Sequence, residues 1–228
     1  MRIPAIRAAI RAPRSRTPEL FLDVRHLRGA GALGTVVADV SFRLQAGEMQ
    51  LIAGRNGAGK STLLRLLAGL LPAGGGEARL NGRPLALAST RRELGYLPQQ
   101  AGDLRLFPAT VEEVLNASQT RGAAQRDEPD WADALGLKPL RRRPAARLSG
   151  GELQRLRIAR LLVSGRPLLF LDEPESSLDS FFVGRLREVL AEARRRGRMI
   201  VMITHEPALW EGPGVRRALL EQGRLVEG

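Results

Sequence analysis

The eight residues Gly54-Arg55-Asn56-Gly57-Ala58-Gly59-Lys60-Ser61 decide the fold of this chain. They meet the pattern G-x-x-x-x-G-K-[ST] at every fixed position. Before them lies an apolar run, Met49 to Ala53. After them a helical pattern begins near Lys60, with Leu63, Leu66, Leu67 and Leu70 on one face. Strand, glycine-rich turn and helix in that order make a cradle for phosphate. Glycines let backbone N–H groups approach an anion closely, and the following helix presents its positive end. A nucleoside triphosphate needs such neutralisation. Lys60 reaches its terminal phosphates, the Ser61 hydroxyl ligates Mg2+, and Gly54, Asn56, Gly57, Ala58, Gly59 and Thr62 complete the cradle.

Working outward, a chain of 228 residues with 43% hydrophobic content accommodates one large domain, or a core plus a subdomain. It has no cysteine, which excludes disulfides and thiolate metal sites and suits a reducing compartment. No apolar run approaches the length needed to span a bilayer. The net charge of +12 is almost wholly arginine, since Lys60 and Lys138 are the only lysines. The basic runs at 141–143, 194–196 and 216–217 are scattered, aromatics are only 4%, and no nucleic-acid-binding motif accompanies them. They read as a solvated surface, or one facing anionic lipid, with no specific nucleic-acid partner.

Met1 to Pro18 reads as a basic, poorly ordered tail with five arginines and three prolines. From Leu20 to Val24, Val36 to Leu44 and Met49 to Ala53 the chain reads as strands. Ala73 to Gly76 reads as a loop, followed by strands at Glu77 to Leu80 and Leu94 to Leu97. Thr110 to Leu162 is mostly helical in character, broken by the polar stretch Thr120 to Pro129. Strands return at Leu168 to Asp172 and Met199 to Thr204, flanking an amphipathic helix over Asp179 to Arg196. Strands alternating with helices argue for a largely parallel sheet.

Leu168-Leu169-Phe170-Leu171-Asp172-Glu173 is an apolar run closed by two carboxylates. In a buried parallel strand the carboxylates emerge at the C-terminal edge, where such sheets bind ligands. Asp172 is placed to hold Mg2+ and Glu173 to polarise an attacking water. Leu148-Ser149-Gly150-Gly151-Glu152 then precedes a helical run. Ser149 is a good N-cap residue, and the glycines expose N–H groups beside its hydroxyl, making a second surface for phosphate. One protomer does not need two such surfaces for one phosphate. Two copies arranged head to tail would each complete the other's site.

With these motifs the sequence resembles the ATP-binding cassette family of ATPases from Leu20 onward. The resemblance rests on GRNGAGKS at 54–61, Gln99, LSGGE at 148–152, LLFLDE at 168–173, Ser177-Leu178-Asp179 and Ile203-Thr204-His205. It implies an α/β fold: a P-loop NTPase core with a mostly parallel sheet, an N-terminal antiparallel β subdomain and a helical subdomain bearing the signature motif. The expected division is a tail over 1–18, the first part of the core over 19–98, the helical subdomain over 99–164 and the second part of the core over 165–228. Gln99 resembles the glutamine that contacts Mg2+ and water and links core to helical insert. Asp179 resembles the aspartate that communicates across the dimer, although a helix N-cap is its simpler role. His205 resembles the histidine that hydrogen-bonds the terminal phosphate. His26 has no such context. The resemblance departs where the family stacks an aromatic ring on adenine: residues 28–34 hold none, leaving Leu33 or Val36 to pack on the base.

The function implied is Mg2+-dependent ATP hydrolysis powering transport through separate membrane-spanning subunits, the chain lying peripherally on the cytoplasmic face. The implied partners are a second copy or a homologous cassette, permease subunits docked near Phe107 to Val111, and, for an importer, a substrate-binding protein. The segment Phe107 to Val111 looks like those of metal and metal-chelate importers. The competing expectation is a soluble cassette ATPase serving a non-transport complex such as iron–sulfur cluster assembly.

Overall fold

Short apolar runs, each buried on two faces, build the centre of this molecule. The computed structural model describes residues 20–30, 36–99, 104, 108–119 and 128–227. The basic tail, Leu33 and Phe107, singled out above, lie outside the described residues. Strands β1 (Phe21–Ala30), β2 (Val36–Gln45) and β3 (Met49–Ala53) lead into helix α1 (Lys60–Leu67). Strands β4 (Gly75–Leu80) and β5 (Arg83–Pro84), helix α2 (Ala88–Arg91) and strand β6 (Leu94–Leu97) follow. Helices α3 (Val111–Ser118), α4 (Trp131–Ala134) and α5 (Gly150–Val163) precede β7 (Leu168–Asp172) and α6 (Ser180–Arg195). The last strands are β8 (Met199–Ile203), β9 (Val215–Glu221) and β10 (Arg224–Glu227).

The strands form a sheet in the order β5-β4-β1-β2-β10-β9-β3-β8-β7-β6. From β9 to β6 every pairing is parallel, with Leu51 opposite Met202 and Leu171 opposite Met202 on its other side. From β5 to β2 every pairing is antiparallel. Alternate residues of the parallel strands serve different cores, as the pleat requires. Leu51, Leu169 and Leu171 pack with α3, α5 and α6, whereas Ile52, Leu168 and Phe170 pack with α1 and the antiparallel strands.

Three expected boundaries shift. β1 runs past Val24 to Ala30, because the register slips between Val24 and Leu27 and puts Arg25 and His26 together on the exposed side. Such a bulge breaks the period-two pattern that sequence reading depends on. His26 adopts φ +48° there and pairs with Asp39. Leu70 does not continue the apolar face of α1. The helix stops at Leu67, Gly69 takes φ +65°, and Leu70 is left exposed. Gly75 and Gly76, expected in a loop, belong to β4.

Arginines tie the helical segments to the sheet. Arg155 of α5 donates to the Leu135 and Gly136 carbonyls and stacks over the Phe182 ring at 3.7 Å. Arg198, just before β8, pairs with Glu128, donates to the Leu162 carbonyl and lies over Trp131. Buried guanidinium groups need this many acceptors to offset lost hydration.

Candidate active site

The phosphate loop leaves β3 through Gly54, at φ +148°. A Cβ on Gly54 would stand 2.7 Å from the Leu220 carbonyl oxygen, so only glycine fits. Gly57 and Gly59 also take positive φ, and Gly59 is the N-cap of α1. That cap has no side-chain acceptor, so the first N–H groups of α1 face the loop without one. Lys60 is buried, its Nζ donating to the Gly54 and Arg55 carbonyls at 2.8 and 3.1 Å. Its ammonium therefore lies inside the turn, where a phosphate oxygen would meet it together with the helix end.

β7, two strands away from β3, carries Asp172 at its end and Glu173 just beyond. Asp172 is 1% exposed, and neither carboxylate oxygen has a hydrogen-bond partner of good geometry. Burial raises its pKa above the ordinary carboxylate range; the neighbouring Ser61 hydroxyl pulls the other way, and Glu173 adds to the rise. An orphaned, buried carboxylate beside a serine hydroxyl fits a hard divalent cation, which takes oxygen ligands and relieves the missing hydrogen bonds.

Glu173 sits at φ +50°, a conformation that costs a non-glycine residue about 1–3 kcal/mol. Its N–H donates to the Ile203 carbonyl at the end of β8, which holds it there. Its side chain is gripped from both sides. Gln99 Nε2 donates to Oε2 at 2.7 Å, and His205 Nε2 lies 2.6 Å from Oε1. Gln99 thus reaches the Glu173 carboxylate, and its neighbour Gln100 lies outside the described residues. The carboxylate is thus presented at the same sheet edge as Lys60 and Ser61, with its orientation set by two polar partners.

Ser149, Gly150 and Gly151 open α5 in a different neighbourhood. The Ser149 hydroxyl accepts from Glu152 N, and the Glu152 carboxylate accepts from Ser149 N at 2.8 Å, a closed capping box. Arg143 reaches Glu152, and a Cβ on Gly151 would come 3.0 Å from the Ser177 carbonyl oxygen. Asp179 caps α6 by accepting from Phe182 N at 2.9 Å. The structure therefore gathers Lys60, Ser61, Asp172, Glu173, Gln99 and His205 at one sheet edge. It gathers Ser149–Gly151 with the 177–179 turn.

Sequence reading passed over Glu175 and Trp210, and named Thr204 only as the neighbour of His205. The Thr204 hydroxyl donates to Glu175 and accepts from Trp210 Nε1. Nothing in the spacing of these residues marks them, because their contacts arise only when β7 and β8 lie side by side.

The comparisons with known proteins agree with this geometry. The family model described as ABC transporter matches residues 37–176. The chain is 38% identical over 206 residues to the hemin import ATP-binding protein HmuV of Streptomyces coelicolor, covering 85% of this chain and 72% of that protein. It is 32% identical over 205 residues to the phosphonates import ATP-binding protein PhnC 2 of Nostoc sp., covering 84% of each. Among solved structures, an ATP-binding subunit of an ABC transporter superposes with a TM-score of 0.80 at 29% identity, over 91% of this chain and 89% of that one. A match of this extent, on a chain whose phosphate loop and gripped carboxylate share one sheet edge, places the protein in the ABC transporter family, among its ATPases.

Proposed function

We propose that the chain hydrolyses ATP with Mg2+ in a head-to-tail dimer and drives transport through separate permease subunits. The observation that carries this reading is the Glu173 carboxylate, held between Gln99 and His205 beside the phosphate loop. Lys60 and the first N–H groups of α1 bind the β- and γ-phosphates. Ser61 and Asp172, with Gln99, hold the cation. Mg2+ bound there supplies charge neutralisation of the phosphates. Glu173 orients a water for in-line attack on the γ-phosphorus and takes its proton as the bond to ADP breaks. His205 donates to the terminal phosphate.

In this reading Ser149 and Gly151 of one protomer close over the nucleotide of the other, and Asp179 sits at the seam. The division into core, helical insert over 99–164 and returning core over 165–228 provides the moving parts. Among the described residues no helix is long and apolar enough to cross a membrane. That agrees with a peripheral subunit on the cytoplasmic face that depends on permeases and, for import, on a substrate-binding protein. We assign a metal chelate as cargo, supported by the similarity to a hemin import protein.

The test is phosphate release from ATP with Mg2+, followed by capture of partners from detergent-solubilised native membranes with tagged Glu173→Gln protein. Turnover abolished by Glu173→Gln, with ATP retained and a multispan membrane protein recovered, is the expected result. Recovery of soluble partners alone transfers the ATPase to a non-transport complex, and wild-type turnover by Glu173→Gln removes the assigned base.

A further inference from the structure

Glu175 is a partly buried acidic side chain that the reaction above does not use. It lies between the catalytic Glu173 and the turn that opens α6. Its Oε1 accepts the hydroxyl of Thr204, and its Oε2 is closed off from solvent without a hydrogen-bond partner. Burial raises its pKa; the Thr204 hydroxyl and the backbone N–H groups of Glu175 and His205 pull it down, and the Glu173 charge raises it. A carboxyl so placed is costly to keep unless its one strong contact has a use.

That contact is with the residue before His205. Thr204 is fully buried. Its oxygen accepts from Glu206 N at 3.1 Å and from Trp210 Nε1 at 3.2 Å. A hydroxyl has one proton to donate and two lone pairs to accept with. Both accepting positions are taken, from residues on the far side of His205, so the single proton is directed at Glu175. The residues before and after His205 thus converge on one oxygen, and Glu175 sets the direction of that oxygen. His205 itself is 48% exposed along its side chain and has little packing of its own to hold it.

We propose that Glu175 is a positioning residue of this ATPase: through the Thr204 hydroxyl it sets the turn that carries His205, and so the meeting of His205 with Glu173. Without Glu175 the Thr204 proton has no acceptor, the hydroxyl is free to rotate, and the imidazole swings away from the carboxylate it now touches. The proposal rests on the ATPase reading above.

The experiment uses Glu175→Ala and Thr204→Val, each alone and in a His205→Ala background. Three quantities are read: ATP turnover, equilibrium nucleotide binding, and the imidazole NMR signals. The chain has only two histidines, and His26, exposed on β1 beside Asp39, is the internal reference. Glu175→Ala is expected to lower kcat on the order of tenfold, leave nucleotide affinity within about threefold, and cost little more once His205 is gone. The His205 ring signals move, and those of His26 stay. An equal loss of rate in the His205→Ala background overturns the proposal, and so does an unmoved His205 signal. Thr204→Val removes the same proton from the other end at almost constant volume, so it carries the test should Glu175→Ala fail to fold. If the wild-type chain shows no ATP turnover, the ATPase reading fails, and the NMR signal still decides whether Glu175 places His205.

Discussion

Gln99 and Glu173 lie 74 residues apart in sequence and 2.7 Å apart in space, with the amide of the first donating to the carboxylate of the second. β6 and β7 are parallel neighbours in register, Leu97 opposite Leu171, so the residues just past their ends meet at the sheet edge. The bond links the residue that follows β6 to the carboxylate proposed as the base of the reaction. In Gln99→Ala the carboxylate keeps His205 but loses its second partner. Turnover should fall about tenfold with nucleotide affinity little changed, since a positioning contact acts on kcat. Phosphate release and nucleotide titration on the same preparation check it, and an equal fall in affinity would count against the role.

Ser149 has two separable duties. As N-cap of α5 it is worth about 1 kcal/mol, and in the proposed dimer its hydroxyl meets the partner's nucleotide. Ser149→Ala should lose both stability and turnover. Ser149→Asp should recover the melting temperature, because aspartate caps well, and still fail to hydrolyse ATP, because its charge opposes the phosphate. Recovered turnover in Ser149→Asp would confine the residue to capping.

The capping box also predicts a pH dependence. The Ser149 backbone N–H holds the Glu152 carboxyl below the usual carboxylate range; the Ser149 hydroxyl and the charges of Arg143 and Arg155 add to this, and burial opposes it. A depressed pKa contributes stability that is present above the ordinary carboxylate range and is lost as pH falls through the lowered value. Glu152→Gln should therefore unfold at lower urea than wild type at pH 7, by about 0.5 kcal/mol after solvent screening. The gap should close in acid, and one that is independent of pH would refute the assignment.

Gly54 and Gly57 both take positive φ but differ in their surroundings. A methyl group at Gly54 meets the Leu220 carbonyl, whereas at Gly57 it meets nothing within 4 Å. Gly54→Ala should lose about 2–4 kcal/mol of stability, and Gly57→Ala about 1 kcal/mol from backbone strain alone. Thermal melts of the two variants, compared directly, test the ranking.

Residues 28–34 offer no aromatic ring to a nucleobase. Ring stacking contributes about 1–3 kcal/mol per base where it occurs. ATP and GTP should accordingly bind within about threefold of each other, and a strong preference for ATP in competition titrations would show that another group reads adenine.

In the parallel half of the sheet β3, β6, β7 and β8 were legible in the sequence almost to the residue, and β9 was not read. β3 and β7 are short, mostly apolar runs because neighbours cover both their faces, and their length of 5 residues each marks them as strands rather than helices. β1 was legible only in its first half. Its bulge puts two polar residues side by side, which in sequence reads as an ending. Leu70 misled for the opposite reason, since the apolar period outlasts the helix that Gly69 stops. At the site, residues inside motifs were found and residues serving them were not. Gln99 and His205 stand in recognisable strings, whereas Glu175, Thr204 and Trp210 are joined by a hydroxyl that no linear pattern records.

The strand order has a consequence for how the protein is made. β3, which delivers the phosphate loop, is emitted early, yet both its neighbours, β8 and β9, lie near the end of the chain. A ribosome that has released everything through Arg198 has released Lys60, Gln99, Ser149 and Glu173, and β3 still has two bare hydrogen-bonding edges. β8 and β9 are inserted on either side of the first functional strand, so nucleotide cannot be held until both have been made. Until then the nascent chain carries an open central strand that invites wrong pairings.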